Sequence, residues 1–328
     1  MYVNAAAKAP ARLRYLSRRA LESLDLTTEE VVGRIEQLMR ARKESRAWNA
    51  PKAAMHLPDG RYMMATLSAA DDPPFLAVKS LLLNPRNTER GLNAINSLVT
   101  LLDSDTGIPL AVMDGNWVTA VRTAGVSAVA AKRLAKPDSS VAAFIGCGVQ
   151  ARSHLRTFAA LFPLREIRAF GRGSANRNTL CRNAETMGFA AVASRTAREA
   201  VSDADLVVSS VTLSPQLVPL LDARWLKRGA FAAVTDLAAS WLADGMPAFD
   251  RIIVDDLEQE SAMLKPMVAP ELVAGDLTGL VNGDVAGRRA DDERTAFVSR
   301  GIGLGDLALA ALAYQRACRT SQGIVLEE

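Results

Sequence analysis

The chain has 328 residues, 49% hydrophobic and 23% charged, with 21 glycines and 14 prolines, which excludes a stapled mini-protein, a disordered chain and a fibrous repeat. The formal net charge is only +3 and the charges are interspersed, so there is no electrostatic footprint for nucleic acid, while an acidic small molecule is an acceptable ligand. The length suits two domains or one large one.

Cys147, Cys181 and Cys318 are widely spaced and form no CxxC pair, so neither a disulfide framework nor a zinc site is expected, and the thiols read as reduced. The opening segment is broken by Pro10 and by charge, and no run of about 18 uncharged apolar residues occurs anywhere. A soluble cytoplasmic protein with no membrane partner is expected. The Arg-rich start leaves a transit peptide as the alternative, opposed by Glu22 and Asp25.

Thr27 with Glu30 forms a capping-box pattern, and Val31, Val32, Ile35, Leu38 and Met39 follow at helical spacing, predicting an amphipathic helix over about 27–44. From about residue 52, apolar runs alternate with turn chemistry: AAMHL, Asp59-Gly60, RYMMATL, Asp72-Pro73-Pro74 and FLAVKSLLL. The habit repeats in SLVTLLD, a turn at Ser104 to Gly107, IPLAVMD, a tight turn at Asp114-Gly115-Asn116, and WVTAV. These predict an antiparallel meander or small barrel-like sheet in the first 120 residues. TAGVSAVAAKRLA, after Arg122, predicts a connecting helix that ends before Pro137.

A different pattern then begins. SVAAFIG is an apolar run suited to a strand buried on both faces, and REIRAFG, DLVVSSV, GAFAAVTD and DRIIVDD repeat it with helical segments between them. The fold class is therefore α/β: a doubly wound parallel sheet of Rossmann type over about 138–300, joined to an antiparallel-sheet domain. GIGLGDLALAALAYQRACRT reads as a helix starting near Asp306. The division expected is residues 1–122 with 306–328 as the antiparallel-sheet domain, and 123–305 as the parallel-sheet domain.

The sharpest motif is Gly146-Cys147-Gly148-Val149-Gln150-Ala151, a GxGxxA series between a strand and a helix. Gly146 permits the tight turn, Gly148 lets backbone approach a pyrophosphate, and Ala151 allows close helix packing. The helix N-terminus at Val149 and Gln150 offers amide donors to phosphate. A glycine turn serving packing alone is the plainer reading. At the end of the second strand, Phe170-Gly171-Arg172-Gly173-Ser174 lacks the acid that selects NAD and offers Arg172 for a 2′-phosphate, which leans towards NADP. The plainer reading of Arg172 is a solvated loop residue or an adenine stack.

Three further residues are odd for their surroundings. Lys79 lies inside FLAVKSLLL, where a charge must face solvent or be paired in a cleft; Arg122, beside Thr123, lies where sheet gives way to helix; Asp236 ends the GAFAAVT strand. An edge-strand lysine, a helix-start arginine and an N-cap aspartate are the competing readings, and spacing does not choose between them.

Taken together, AVKSLLLNPRN, SLVTLLDSDTGIPLAVMDGNWVTAVRTAGVSAVAAKRLA and FIGCGVQARSHL resemble the ornithine cyclodeaminase and mu-crystallin family over roughly residues 50–315. The resemblance implies a homodimer, with a sheet domain for substrate and dimerisation and a Rossmann domain for NAD(H) or NADP(H). It also implies the chemistry of alanine dehydrogenases, ketimine reductases, cyclic imino acid reductases or iminosuccinate reductase. By motif, Lys79 matches the active-site lysine, Arg122 the arginine that grips the substrate carboxylate, and Asp236 the aspartate after the fifth Rossmann strand; Thr123 is grouped with the cofactor site. Lys52 falls where the family usually has a second carboxylate-binding arginine, keeping the charge but losing the bidentate fork. Lys79 and Asp236 would then polarise or protonate an imine nitrogen.

The chain departs from the cyclodeaminase branch in carrying no carboxylate between Arg61 and Ala70, and LAASWL follows Asp236 in place of a PGK-like segment. Both differences argue against ornithine, because a diamine needs a negative partner for its distal ammonium. Lys52, His56, Arg61, Arg86 and Arg122 make these segments basic, so iminosuccinate to aspartate, or pyruvate with ammonia to alanine, are the candidate reactions. A redox-neutral cyclodeaminase and a non-catalytic NADP(H)-binding protein are the alternatives. His56 and His154 read as non-catalytic, no HExxH or carboxylate cluster suggests a metal, and Trp241 is a candidate pocket wall.

Overall fold

A computed structural model describes residues 12–214 and 216–327. The first eleven residues of the N-terminal segment read above lie outside the described residues. Strand β1 (Arg12–Leu16) and a short helix α1 (Arg18–Glu22) precede α2 (Thr28–Lys43). α2 begins where the capping box places it: Glu30 N donates to Thr27 Oγ1 at 3.2 Å, and Thr27 N donates to Glu30 Oε2 at 2.9 Å. Its Val31, Ile35, Leu38 and Met39 face is buried.

β2 (Ala47–Asn49), β3 (Ala53–His56), β4 (Tyr62–Asp71), β5 (Pro74–Leu83), β6 (Ile95–Asp103) and β7 (Pro109–Asp114) build the expected antiparallel sheet. Side-chain alternation puts Thr66 opposite Lys79 and Ser68 opposite Ala77 on one buried face. The other face carries the exposed side chains of Met63, Leu67, Leu82 and Leu98.

The run WVTAV, expected as a strand after a tight turn, is instead the beginning of α3 (Gly115–Leu134). Asp114 is the N-cap, its carboxylate accepting from Trp117 N at 2.8 Å, and a helix launched in this way overrides the strand preference of its valines and threonine. Gly115 serves close packing rather than a turn, since a Cβ there would lie 2.7 Å from the Ser97 backbone.

The chain then alternates through β8 (Val141–Ile145), α4 (Val149–Leu161), β9 (Glu166–Phe170), α5 (Ser174–Thr186), β10 (Ala190–Ala193), α6 (Ala197–Val201) and β11 (Leu206–Ser209). β12 (Phe231–Val234), β13 (Arg251–Val254), α7 (Leu257–Ser261), β14 (Val273–Asp276), α8 (Leu277–Asn282) and β15 (Thr295–Val298) follow. These strands form the expected parallel sheet, in the order β10-β9-β8-β11-β12-β15-β13-β14. The order reverses between β8 and β11, the crevice where doubly wound sheets bind nucleotides.

α9 (Gly303–Thr320) and β16 (Ile324–Glu327) return to the first unit, where β16 pairs with β1 and extends that sheet to β16-β1-β7-β6-β5-β4-β2, with β3 on β4. The seams expected at 122/123 and 305/306 fall inside α3 and α9. α3 packs on α2, α4 and α9, and touches β6 of one sheet and β12 and β15 of the other. Among the described residues, no helix is long and apolar enough to cross a membrane.

Candidate active site

Lys79 is buried on β5 and is paired. Its ammonium lies 2.9 Å from Asp306 Oδ1 and 2.8 Å from Oδ2, and Thr66 Oγ1 donates to the same carboxylate at 3.3 Å. Arg122, on the buried face of α3, brings Nε to 2.9 Å from Asp306 Oδ1. That contact is not aligned as a hydrogen bond, and Nη1 is buried with no hydrogen-bond partner. A guanidinium left with a free buried donor is poised for an anion, and a carboxylate fits its fork.

Asp306 reaches this position because the start of α9 is pinned to the antiparallel sheet. Gly303 N donates to Asn49 Oδ1 at 2.7 Å, and Ser68 Oγ donates to Gly303 O at 3.0 Å. Burial pushes the Asp306 pKa upwards, but the adjacent Arg122 and Lys79 outweigh it and hold the carboxyl below its ordinary value. Burial lowers the Lys79 pKa to about 8, Arg122 lowering it further and Asp306 opposing both. Lys52 joins the group from the loop before β3, its Nζ donating to the carbonyl of Arg300 at 2.5 Å. Burial brings its pKa down to about 7.

Sequence reading missed Asp306 as a site residue, although the signal was present: an acid in the apolar run GIGLGDLALA is as anomalous as a lysine in FLAVKSLLL, and two such charges of opposite sign should meet. Asp236 is not brought to Lys79. Its carboxylate accepts from Ser209 Oγ at 3.1 Å, Val211 N at 3.1 Å and Ser240 Oγ at 2.7 Å, and no hydrogen bond or ion pair joins it to Lys79, Arg122 or Lys52. Burial raises its pKa. Asp236 thus holds the loop after β11, whose Ser210 Oγ donates to Gly146 O at 3.1 Å.

The GxGxxA loop has the shape its motif requires. Gly146 adopts φ +85°, and a Cβ there would lie 2.6 Å from Ser210 O. No heavy atom stands within 4 Å of the Cβ position at Gly148, the N-cap of α4, and no side chain caps that helix. Gln150 Oε1 is buried without a hydrogen-bond partner. Ala151 is buried, Val149 is exposed, and Arg172 is exposed just beyond β9. An open glycine cradle at an uncapped helix N-terminus fits a pyrophosphate. Thr123 Oγ1 donates within α3 to Thr119 O at 2.7 Å.

His154 is a core residue, its ring nitrogens 2.8 Å from Gln150 O and 2.9 Å from Ser127 Oγ, and burial lowers its pKa to about 4. His56 lies against Tyr62, ring centroids 4.7 Å apart and planes tilted by 37°. Trp241, considered as a pocket wall, is buried against Phe249 and donates Nε1 to Ser209 Oγ at 2.9 Å. The three cysteines are free. Among the described residues no cluster of His, Cys, Asp or Glu is arranged to hold a metal.

A doubly wound parallel sheet with a GxGxxA cradle, together with the buried Lys79, Arg122 and Asp306 group, defines the class: an NAD(P)-dependent oxidoreductase. The chain belongs to the ornithine cyclodeaminase/mu-crystallin family, whose sequence profile matches residues 15–321. It is 29% identical to the alanine dehydrogenase of Archaeoglobus fulgidus, over 94% of this chain and 96% of that one. It is 33% identical to the ketimine reductase mu-crystallin of Rattus norvegicus, over 77% of this chain and 79% of the relative. Among solved structures, Δ1-pyrroline-2-carboxylate reductase of Thermococcus litoralis, in complex with NADH and L-proline, superposes with a TM-score of 0.88 at 26% identity, covering 95% of this chain and 99% of that one. An archaeal alanine dehydrogenase dimer with bound NAD gives 0.86 at 27% identity, covering 96% and 99%.

Proposed function

We propose that this protein reduces a small α-imino acid to an L-amino acid at the expense of NAD(P)H, or runs the reverse reaction. The observation that carries this reading is the buried Lys79–Asp306–Arg122 group with its unpartnered guanidinium nitrogen. Bound nicotinamide supplies the hydride in one direction and accepts it in the other. The glycine cradle at Gly146 and Gly148 and the amides of Val149 and Gln150 would hold the pyrophosphate, and the exposed Arg172 favours a 2′-phosphate, hence NADP.

Arg122 binds the substrate carboxylate through its free Nη1, and Lys52 adds a second positive charge. Lys79 donates a proton to the imine nitrogen, while Asp306 fixes the direction of the ammonium and supports its charge. With a pKa of about 8, Lys79 is charged at neutral pH. Reduction therefore falls as pH rises through about 8, and amine oxidation, which needs the neutral lysine as base, gains over the same interval. Asp236 acts on the cofactor side by holding the loop that faces Gly146.

Between Arg61 and Ala70 β4 carries no carboxylate, and Met64 lies on the same face of the strand as Thr66, which supports a compact or acidic imino acid over a diamine. The imine of pyruvate and ammonia, giving alanine, and iminosuccinate, giving aspartate, are the candidate substrates. The exposed apolar face of Met63, Leu67, Leu82 and Leu98 supports a homodimer.

The test is oxidation of NADH and NADPH, followed in parallel, with imines generated from pyruvate, glyoxylate, oxaloacetate and cyclic ketimines. Turnover with one of them is expected. Lys79→Ala should lower kcat by on the order of 10²- to 10⁴-fold while leaving cofactor affinity within about twofold. Tight cofactor binding with no oxidation across the panel would overturn the reading.

A further inference from the structure

Asp255 follows β13, is fully buried, and stands apart from the groups assigned to the chemistry. Its Oδ2 accepts from Gly301 N at 2.5 Å and from Ser299 Oγ at 2.9 Å, while Oδ1 is buried with no hydrogen-bond partner. The same turn is held from its other peptide face, where Gln259 Nε2 donates to Gly301 O at 3.4 Å. Gly301 has φ +92°, and a Cβ there would approach both Arg122 Nη1 and Nη2 to 3.1 Å, so the turn lies directly against the guanidinium. One residue earlier, the Arg300 carbonyl accepts from Lys52 Nζ. The Arg300 guanidinium is engaged elsewhere, by Glu260, with Nε 3.0 Å from Oε2.

We propose that Asp255 is a positioning residue for the substrate carboxylate: by fixing the Ser299–Gly301 turn it sets the Lys52 ammonium beside the Arg122 guanidinium. The proposal rests on the reading of Arg122 and Lys52 as the carboxylate site. The Lys52 pKa is lowered chiefly by burial, then by Arg122 and Lys79; Asp255 is the strongest of the charges that oppose this, followed by Asp306. Burial in turn raises the pKa of Asp255, and Lys52 is the largest influence against it. Each group supports the charge of the other. An arginine at position 52 would stay charged throughout, whereas lysine makes the grip on a carboxylate titrate near neutrality.

Calorimetric titration of the full chain, saturated with NADH or NADPH, with pyrrole-2-carboxylate between pH 6 and 9 tests this without requiring turnover. Wild-type affinity should fall by about tenfold per pH unit above about 7, as Lys52 loses its proton. Lys52→Arg should remove the part of that slope between pH 7 and about 8, leaving only the fall above about 8 as Lys79 loses its proton. Asp255→Asn should shift the midpoint to lower pH and weaken binding at pH 7 by about tenfold, with KM for substrate moving more than kcat. Ser299→Ala should move both in the same direction by less, and it guards against a folding defect in the first variant. Wild-type midpoint and affinity in both folded variants would overturn the proposal. Failure of the underlying reading looks different: wild type and Lys52→Arg would both fail to bind the acid at every pH, and the proposal would fall with it.

Discussion

Lys79, Arg122 and Asp306 come from a strand, a helix and a second helix, and each is buried where an isolated charge would be prohibitive. Their mutual compensation sets what removal of one member does. Asp306→Asn leaves two cations without their counter-charge, and a loss of about 3–5 kcal/mol is expected by analogy with broken buried pairs, read as a lower midpoint in thermal or urea unfolding. Because Asp306 supports the charge of Lys79, the same variant should bring the alkaline fall in reduction rate to a pH below about 8. The acid side carries its own sign. A carboxyl held below its ordinary pKa contributes stability that is complete above that ordinary value and is lost as pH falls through the lowered one, so wild type should lose stability in acid more steeply than Asp306→Asn. Lys79 and Arg122 were legible in the sequence as anomalies whose meaning came from motif resemblance. Asp306 was equally anomalous, but it lies 227 residues from Lys79, and no local pattern reports a partner at that distance.

Elements were legible wherever one signal dominated. The capping box at Thr27 and the continuous apolar runs of β8 and β11 to β13 had no competing interpretation. Asp114-Gly115-Asn116 did have one, since an aspartate followed by glycine suits both a hairpin turn and a helix cap, and the β-branched residues that follow favoured the hairpin. The strands β10, β14 and β15 went unread: AAVA is mostly small and exposed, VAGD is broken by glycine and aspartate, and TAFV opens on a threonine beside a charged segment. If the cap launches α3, Asp114→Ala should cost about 1 kcal/mol in unfolding free energy while leaving cofactor affinity unchanged. On the outer face of the antiparallel sheet, Leu67 is 49% exposed amid other apolar side chains. Leu67→Glu should shift the protein from dimer to monomer in light scattering, and a monomeric wild type would remove the homodimer from the proposed function.

At the scale of the molecule, α3 belongs to neither unit alone, packing on both sheets and on α9. A division drawn at 122/123 falls within this shared helix, while composition shifts along the chain marked the two architectures correctly. The first unit is also discontinuous: α9 lies against β4 and β5, and β16 pairs with β1. This has a consequence for how the protein is made. The parallel sheet is complete once β15 has been translated, but Lys79 waits for Asp306. At about 5–20 residues per second, tens of seconds of translation separate the two. Throughout that interval the face that α9 will later cover stays open to water, Lys79 included, so the ribosome-bound chain carries an exposed apolar surface and no assembled site until α9 emerges.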